Sequence, residues 1–145
     1  MNKIFKNRVS KFMLSLTILF SGSMAFLPSM EVDAAMSSWQ SIPGDSDCLV
    51  RVWTDSTNYY EGSTTVDWYA EQNGKCGQLD YSAELVDHNH GAQREGPLTG
   101  YFSYRTPTKS FYIGDWYGAN ASVFLDLYKN GQFVGVVESE YLTIY

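Results

Sequence analysis

The sequence predicts an all-β protein: a single antiparallel β-sandwich of immunoglobulin-like type, with a small closed β-barrel as the alternative. Three observations predict this fold class. Apolar residues recur with a period of two rather than 3.6 along most of the chain. The breaks between these runs contain turn residues instead of helix caps. Seven or eight short strands fit into about 110 residues, with turns every 8 to 12 positions, which is typical of a sandwich.

Length and composition agree with one folded domain. The chain has 145 residues, too few for two sizeable cores. Apolar residues make up 44% of it and charged residues 18%, so wholesale disorder is excluded.

Residues 1–34 have the pattern of an export signal. Four basic residues precede an apolar run from Phe12 to Phe20, and small residues surround a cleavage site that we place after Ala34, with Ala35 as the alternative. The run is shorter than the ~20 residues that span a bilayer, which disfavours a retained anchor. The segment resembles the export signals of Gram-positive bacteria. We therefore expect a secreted, extracellular bacterial protein with no stable membrane insertion after cleavage.

The charge of the remaining chain limits its partners. Removing residues 1–34 leaves six basic and fourteen acidic residues, a formal charge of −8. The six cations are scattered from Arg51 to Lys129 without a run. Nucleic acids and anionic membranes are bound through Lys/Arg patches, so neither is expected as a partner. We expect a monomer that binds a polysaccharide or an extracellular protein.

The first strands follow a polar lead at residues 35–47, and the sandwich itself is expected at residues 48–145. In the run from Cys48 to Thr54, the two valines lie on one face and Trp53 on the other. A second run, Thr64 to Ala70, places Val66 and Trp68 on one face. We assign Trp68 to the core.

An Asn-Gly dipeptide predicts the first hairpin. Asn73-Gly74 tolerates the positive φ angles of a two-residue turn, and the next run carries alternating apolar residues from Leu79 to Leu85. With that turn, Trp68 pairs with Leu79 and Val66 with Tyr81. Both strands then present their apolar residues to the same side.

Cys48 and Cys76 are the only cysteines, and an exported chain meets oxidising conditions. We predict one disulfide between them, in preference to a catalytic cysteine with a histidine partner. The hairpin register places Cys76 on the face opposite Trp68, at a sheet end. A bulge at Gly77 is the alternative that turns the thiol inward.

The second half repeats the same pattern. Asn130-Gly131 predicts the clearest hairpin of the chain, in which Leu125 faces Val136, Leu127 faces Val134 and Tyr128 meets Phe133. The predicted strands are Gly100 to Tyr104, Lys109 to Ile113, Asn120 to Lys129, Gln132 to Ser139 and Tyr141 to Tyr145.

Motifs of catalysis and cofactor binding are missing from the sequence. It contains no G-x-S-x-G nucleophile elbow, phosphate-binding glycine loop, H-E-x-x-H zinc motif or EF-hand loop. We therefore assign no catalytic residue, no metal ligand and no cofactor, and we favour a protein that is not an enzyme.

Two polar clusters are candidate metal sites. His88 and His90 have the i, i+2 spacing that can hold a transition metal, but they begin a polar loop, where histidines are usually solvated. Asp67 and Asp80 would oppose each other in the first hairpin, with Glu84 on the same face, which calcium would explain. A solvent-facing acidic surface is the favoured interpretation of these carboxylates.

Two aromatic pairs in loops are the predicted ligand-binding residues. Tyr59 and Tyr60 lie in a turn region, and Trp116 and Tyr117 lie between two glycines. Loops concentrate binding residues, and rigid rings with polar tips suit sugars or protein interfaces. The alternative for Trp116 is that it plugs one end of the sandwich.

These observations favour a secreted, non-catalytic binding module that recognises a neutral glycan or cell-wall polymer through the loop aromatics. The alternative is a protein-binding module or enzyme inhibitor that presents the segment His88 to Leu98, with Arg94 exposed, to its partner. A third option is an extracellular hydrolase that acts through Asp67, Asp80 or Glu84.

Overall fold

A computed structural model describes residues 34–89 and 94–145. The predicted export signal lies outside these residues, except for Ala34. Within the described ranges, no helix is long and apolar enough to cross a membrane. The described strands are β1 (Ala35–Met36), β2 (Gln40–Ile42), β3 (Asp45–Thr54), β4 (Asn58–Tyr59), β5 (Thr65–Gln72), β6 (Leu79–Asp87), β7 (Arg94–Phe102), β8 (Lys109–Tyr112), β9 (Ala119–Lys129), β10 (Gln132–Glu138) and β11 (Leu142–Ile144).

The strands form two sheets, which confirms the predicted all-β sandwich. The first sheet has the order β1-β3-β5-β8, and β2 also pairs with β3. The second sheet has the order β4-β11-β9-β6-β7, and β10 also pairs with β9. Neighbouring strands are antiparallel except β4 and β11, which are parallel. Such a two-layer arrangement buries the inner face of each sheet.

The core lies between the sheets, where the period-two alternation places an apolar residue at each inward position. Trp68 is fully buried and forms the centre of this core. Its ring stacks on Phe111 of its own sheet, with ring centroids 5.6 Å apart. It meets Tyr81 of the second sheet edge to face at 6.0 Å. Trp68 therefore joins the two layers, as its assignment to the core predicts.

The polar lead is part of the sandwich, although the sequence left its order open. Its residues form β1, β2 and the start of β3. The Gln40 side chain bridges the two sheets: its amide nitrogen donates to the Glu138 carbonyl at 2.6 Å, and its amide oxygen accepts from the Glu138 N–H at 3.0 Å. The segment is polar because it pairs through hydrogen bonds at a sheet edge and contributes few side chains to the core.

The predicted hairpin around Asn73-Gly74 is wrong, because β5 and β6 belong to different sheets. Trp68 pairs with Thr54 and Lys109 in the first sheet, and Leu79 pairs with Phe102 in the second. The alternating pattern is compatible with both arrangements. In a hairpin the apolar residues of β5 and β6 lie on the same side of one sheet, and in the sandwich they face each other across the core.

The disulfide between Cys48 and Cys76 is confirmed. Both residues are buried in the core rather than exposed at a sheet end. Cys76 lies in the connection that crosses from the first sheet to the second, next to Gly77, whose φ is 71°. The Gln72 side chain holds this connection by donating to the Gly77 carbonyl at 2.6 Å and accepting from the Cys76 N–H at 3.1 Å.

The hairpin at Asn130-Gly131 is confirmed, but its register changes within β10. Phe133 opposes Tyr128 as predicted. A bulge then follows, so that Leu127 opposes Gly135 and Leu125 opposes Val137. The predicted pairs of Leu125 with Val136 and Leu127 with Val134 are therefore wrong. The bulge turns Val137 into the core and leaves Val136 exposed, an offset that strict alternation cannot predict.

We expect the double substitution of Cys48 and Cys76 by alanine to lower the free energy of unfolding by about 3.6 kcal/mol, because the disulfide limits the unfolded chain over a long loop. Urea denaturation under non-reducing conditions measures this loss. Reduced wild-type protein is the matched control and should unfold at the same urea concentration as the variant. An unchanged midpoint would contradict the prediction.

We expect Gly135→Ala to destabilise the protein more than Gly131→Ala does. Both glycines have a positive φ, 153° and 76°. A Cβ at position 135 would lie 2.7 Å from Cδ of Pro43, whereas one at position 131 meets no atom within 4 Å. The collision, together with a φ that lies further from the left-handed region open to L residues, costs about 2 kcal/mol more at position 135 than at position 131. Thermal unfolding of the two variants side by side measures the difference, and equal losses would refute it.

Candidate functional site

The four predicted ligand-binding aromatics divide into two buried and two exposed residues. Tyr59 and Trp116 are 3% and 4% exposed and belong to the core. Tyr60 and Tyr117 are 47% and 71% exposed. Trp116 is thus buried rather than exposed for binding, and Tyr60 and Tyr117 are the two of these four rings that reach solvent.

Strand pairing brings the exposed rings to one end of the second sheet. Ile144 of β11 opposes Tyr59 on one side and Ala119 on the other. The chain positions just beyond this row are Tyr60, Tyr145 and Gly118, and paired strands lie only about 4.8 Å apart. Tyr60 and Tyr145 stack with ring centroids 4.9 Å apart and an interplanar angle of 5°. We call Tyr60, Tyr117 and Tyr145 the tyrosine end.

Hydrogen bonds hold this end in place. The Tyr145 N–H donates to the Tyr59 carbonyl at 2.9 Å, and the Ser63 N–H donates to the Tyr60 carbonyl at 2.9 Å. The Trp116 N–H donates to the Ile113 carbonyl, also at 2.9 Å. The exposed rings therefore project from backbone that is already fixed.

Beneath the tyrosine end, Tyr59 anchors a buried polar contact. Its hydroxyl donates to Oδ1 of Asp55 at 2.6 Å, and the same oxygen accepts from the Asp67 N–H at 2.9 Å. Burial, and next the hydrogen bond to the Asp55 carboxylate, raise the pKa of Tyr59 far above its ordinary value. Tyr59 is thus held as a neutral phenol that supports the exposed rings.

A second aromatic surface covers the outer face of the first sheet. Trp53 and Tyr69 oppose each other on β3 and β5 and stack with ring centroids 4.9 Å apart. The Arg105 guanidinium lies over Tyr69, 4.7 Å from its centroid, and the Arg51 guanidinium lies over Trp39 at 4.3 Å. We call these five residues the first-sheet platform.

The alternation predicts Trp53 on the outer face, but it does not predict the platform. Its members come from four separate segments: the lead, β3, β5 and the segment that follows β7. The available signal was that Tyr69, like Trp53, occupies an outward position next to buried neighbours. Strand pairing, which unites Trp53 with Tyr69, could not be known from the pattern alone.

The predicted pairing of Asp67 with Asp80 is wrong, because the two residues belong to different sheets. Asp67 opposes Ser110, whose hydroxyl donates to its carboxylate at 2.6 Å. Asp80 opposes Tyr101 and Tyr128. In the part of the chain that the structure describes, no three His, Cys, Asp or Glu side chains are placed to share a metal ion.

Glu84, the third carboxylate, pairs with Arg94 across the edge of the second sheet. Oε2 of Glu84 lies 3.0 Å from Nη1 of Arg94. It is therefore remote from Asp67, and the three carboxylates proposed for a hydrolase do not form one site.

His88 belongs to a packed cluster, and His90 lies outside the described residues. Nε2 of His88 lies 3.0 Å from Oγ of Ser122 and 3.7 Å from Oε1 of Glu138. A serine nucleophile needs a histidine whose other ring nitrogen is held by the carboxylate, whereas here both groups face the same nitrogen. Ser122 is also fully buried. This trio thus lacks the geometry of a nucleophilic site.

The segment proposed for an inhibitor loop, His88 to Leu98, is strand over its last five residues. β7 begins at Arg94, and Leu98 pairs with Ala83 of β6. Residues 90–93 lie outside the described ranges. The prediction of a long exposed loop is therefore wrong for residues 94–98.

Comparison with known proteins identifies the family. Residues 32–145 match the model of the YqgA MG2 macroglobulin domain. The chain is also similar to the "Cell wall-binding protein YqgA" of Bacillus subtilis (strain 168), with 37% identity over 131 residues, which cover 86% of this chain and 92% of that protein. No solved structure matches.

We expect Tyr59→Phe to lower the free energy of unfolding at neutral pH by about 1 kcal/mol, because Asp55 loses a hydrogen-bond donor. The pH dependence should also change. In the wild type the raised pKa keeps Tyr59 neutral in the folded state, whereas in the unfolded state the tyrosine ionises above its ordinary pKa of 10.0. The contribution of Tyr59 to the free energy of unfolding is therefore fully present below pH 10 and is lost as the pH rises above it.

The variant lacks the Tyr59 hydroxyl, so its free energy of unfolding should fall less steeply with pH. Above pH 10 the slopes of the two proteins should differ by up to about 1.4 kcal/mol per pH unit. Urea denaturation from pH 7 to 11 measures both effects. Tyr117→Phe, which removes an exposed hydroxyl, is the control and should follow the wild type. Parallel curves for Tyr59→Phe and wild type would contradict the assignment.

Proposed function

Because the chain belongs to the YqgA MG2 macroglobulin domain family, we propose that it is a secreted, non-catalytic domain that binds a polymer of the bacterial cell wall. The relative from Bacillus subtilis is named for binding the cell wall. Its similarity extends over most of both chains, so the comparison concerns the whole domain rather than a short motif. The proposed export signal would deliver such a domain to the wall.

The tyrosine end is the proposed contact surface, and the observation that carries it is the stack of the exposed Tyr60 and Tyr145 at the end of the second sheet where the exposed Tyr117 also lies. Tyr60 and Tyr145 are already stacked, and the buried Tyr59 and Trp116 fix the backbone beneath them. The side chains of Tyr60 and Tyr145 are therefore ordered before binding, which lowers its entropic cost. A long glycan can lie along such an edge without a deep pocket.

The local charge favours a neutral glycan at this end. Glu61 follows Tyr60 directly, Asp115 precedes Trp116, and Asp55 lies beneath Tyr59. These carboxylates repel a phosphate-rich polymer but can accept hydrogen bonds from sugar hydroxyls. Tyrosine hydroxyls offer further donors and acceptors beside the apolar ring faces. The surface thus combines stacking with hydrogen bonding, as recognition of an uncharged sugar requires.

We expect the double variant Tyr60→Ala, Tyr117→Ala to bind purified cell walls about ten- to thirtyfold more weakly than the wild type, since each lost ring contact contributes ~1 kcal/mol. Co-sedimentation of the chain without residues 1–34, at constant salt, measures the apparent Kd. Neither Tyr59 nor Trp116 is suitable for this test, because their loss disturbs the core.

The matched control is Tyr101→Ala, Phe133→Ala, which removes two rings of similar exposure elsewhere on the second sheet. It should bind as the wild type does. Equal binding by both double variants would refute the tyrosine end as the contact surface. Failure of the wild-type chain to sediment with any wall preparation would refute wall binding itself.

A further inference from the structure

We propose that the first-sheet platform is a second binding site, distinct from the tyrosine end, and that it takes a sugar carrying a carboxylate group. The proposal concerns a different sheet face and a charged ligand. It does not depend on wall binding at the tyrosine end, and soluble ligands can test it.

The ring stack of the platform is built into the sheet. Trp53 and Tyr69 are directly opposed on neighbouring strands, and both are half-buried. Their rings stack with centroids 4.9 Å apart, so each covers one face of the other and leaves its edges free. Ring edges carry the positive part of the aromatic quadrupole, and the indole N–H and phenol O–H add donors. The outward surface of the stack is therefore suited to an anionic or hydroxyl-bearing group.

The two arginines of the platform differ in their partners. Arg51, Glu71 and Arg105 lie in one row across β3, β5 and the segment after β7. Arg51 is neutralised, because its Nε donates to Oε1 of Glu71 at 2.7 Å. Among the described residues, no carboxylate lies within ion-pair distance of Arg105. Its side chain is exposed and rests on Tyr69, so the guanidinium is oriented, and the opposed Glu71 is already hydrogen-bonded to Arg51.

An oriented guanidinium of this kind favours a carboxylate ligand. Its donors form a planar fork that matches two carboxylate oxygens, and cation–π contact leaves the edge of the fork available. Two arginines meet on this face although the chain has few cations after residue 34. The platform is thus the place where a negative group is accepted on an otherwise acidic chain.

The neighbouring groups indicate a sugar with an isolated acid group rather than a polyanion. Glu71 lies beside Arg105, and Asp67 lies one row beyond Tyr69. Two carboxylates so close repel a run of phosphates. They can, however, accept hydrogen bonds from hydroxyls, and Ser110 next to Asp67 adds a hydroxyl of its own. A carboxylated sugar presents one negative group surrounded by hydroxyls, which matches this pattern.

Titration with a short oligogalacturonate, followed through the indole N–H signals of Trp39 and Trp53 in NMR spectra, tests the proposal. The methyl-esterified oligomer is the matched ligand, because it keeps the sugar and removes the charge. We expect the acid form to shift the two platform tryptophans and the ester to bind at least tenfold more weakly. Equal binding of acid and ester, or no shift of either tryptophan, would overturn the proposal.

Variants separate recognition from structure. Arg105→Gln should weaken binding of the acid oligomer at least tenfold, and Arg105→Lys, which keeps the charge without the fork, should fall between it and the wild type. Arg94→Gln removes the same charge from the other sheet and is the matched control. It should bind as the wild type does, and a loss as large as that of Arg105→Gln would overturn the proposal.

A short peptide with a free C-terminal carboxylate and its amidated form provide the comparison for a peptide ligand. Binding of the peptide acid but not of the sugar acid would overturn the sugar assignment. The variant Tyr60→Ala, Tyr117→Ala should retain oligogalacturonate binding in full. If that variant loses wall binding but still binds oligogalacturonate, the two surfaces are separate sites. If the wild type binds only one of the two ligands, only the proposal for the other ligand is refuted.

Discussion

The burial of Trp68 between the two sheets is the interaction on which the rest of the structure depends. Its ring contacts Phe111 in its own layer and Tyr81 in the opposite layer. Once Trp68 faces inward, period-two alternation determines the direction of each neighbour along β5. Tyr69 must then face outward, where it meets Trp53 and Arg105. The core and the first-sheet platform are thus two consequences of one strand orientation.

The crossing between the sheets is the second constraint, and it is held covalently. Cys76 lies in the short connection from β5 to β6 and is joined to Cys48 near the start of β3. The Gln72 side chain fixes the same connection, because it donates to the Gly77 carbonyl and accepts from the Cys76 N–H. A tight hairpin would have left β5 and β6 in one sheet. The connection instead directs them into opposite layers, which creates the core.

The two aromatic surfaces differ in how their rings are presented and in local charge. At the tyrosine end, Tyr117 is widely exposed and acidic residues are nearby, which suits an uncharged sugar. On the platform, Trp53 and Tyr69 cover each other, and Arg105 supplies a positive charge. A glycan that contacts both surfaces would be bound more tightly than either surface alone allows, because the second contact becomes intramolecular.

The sequence by itself determined β3, β5, β6, β9 and β10 and the hairpin at Asn130-Gly131, because alternation and turn residues are local properties. It did not predict the short strands β1, β2 and β4 or the start of β7. It also determined the disulfide, since only two cysteines exist. Only the tertiary structure decided which strands pair, because a hairpin and a sandwich bury the same alternating residues. That choice separated Asp67 from Asp80, buried Tyr59 and Trp116, and united Trp53, Tyr69 and Arg105. Each of these outcomes depends on contacts between distant segments, which no local pattern encodes.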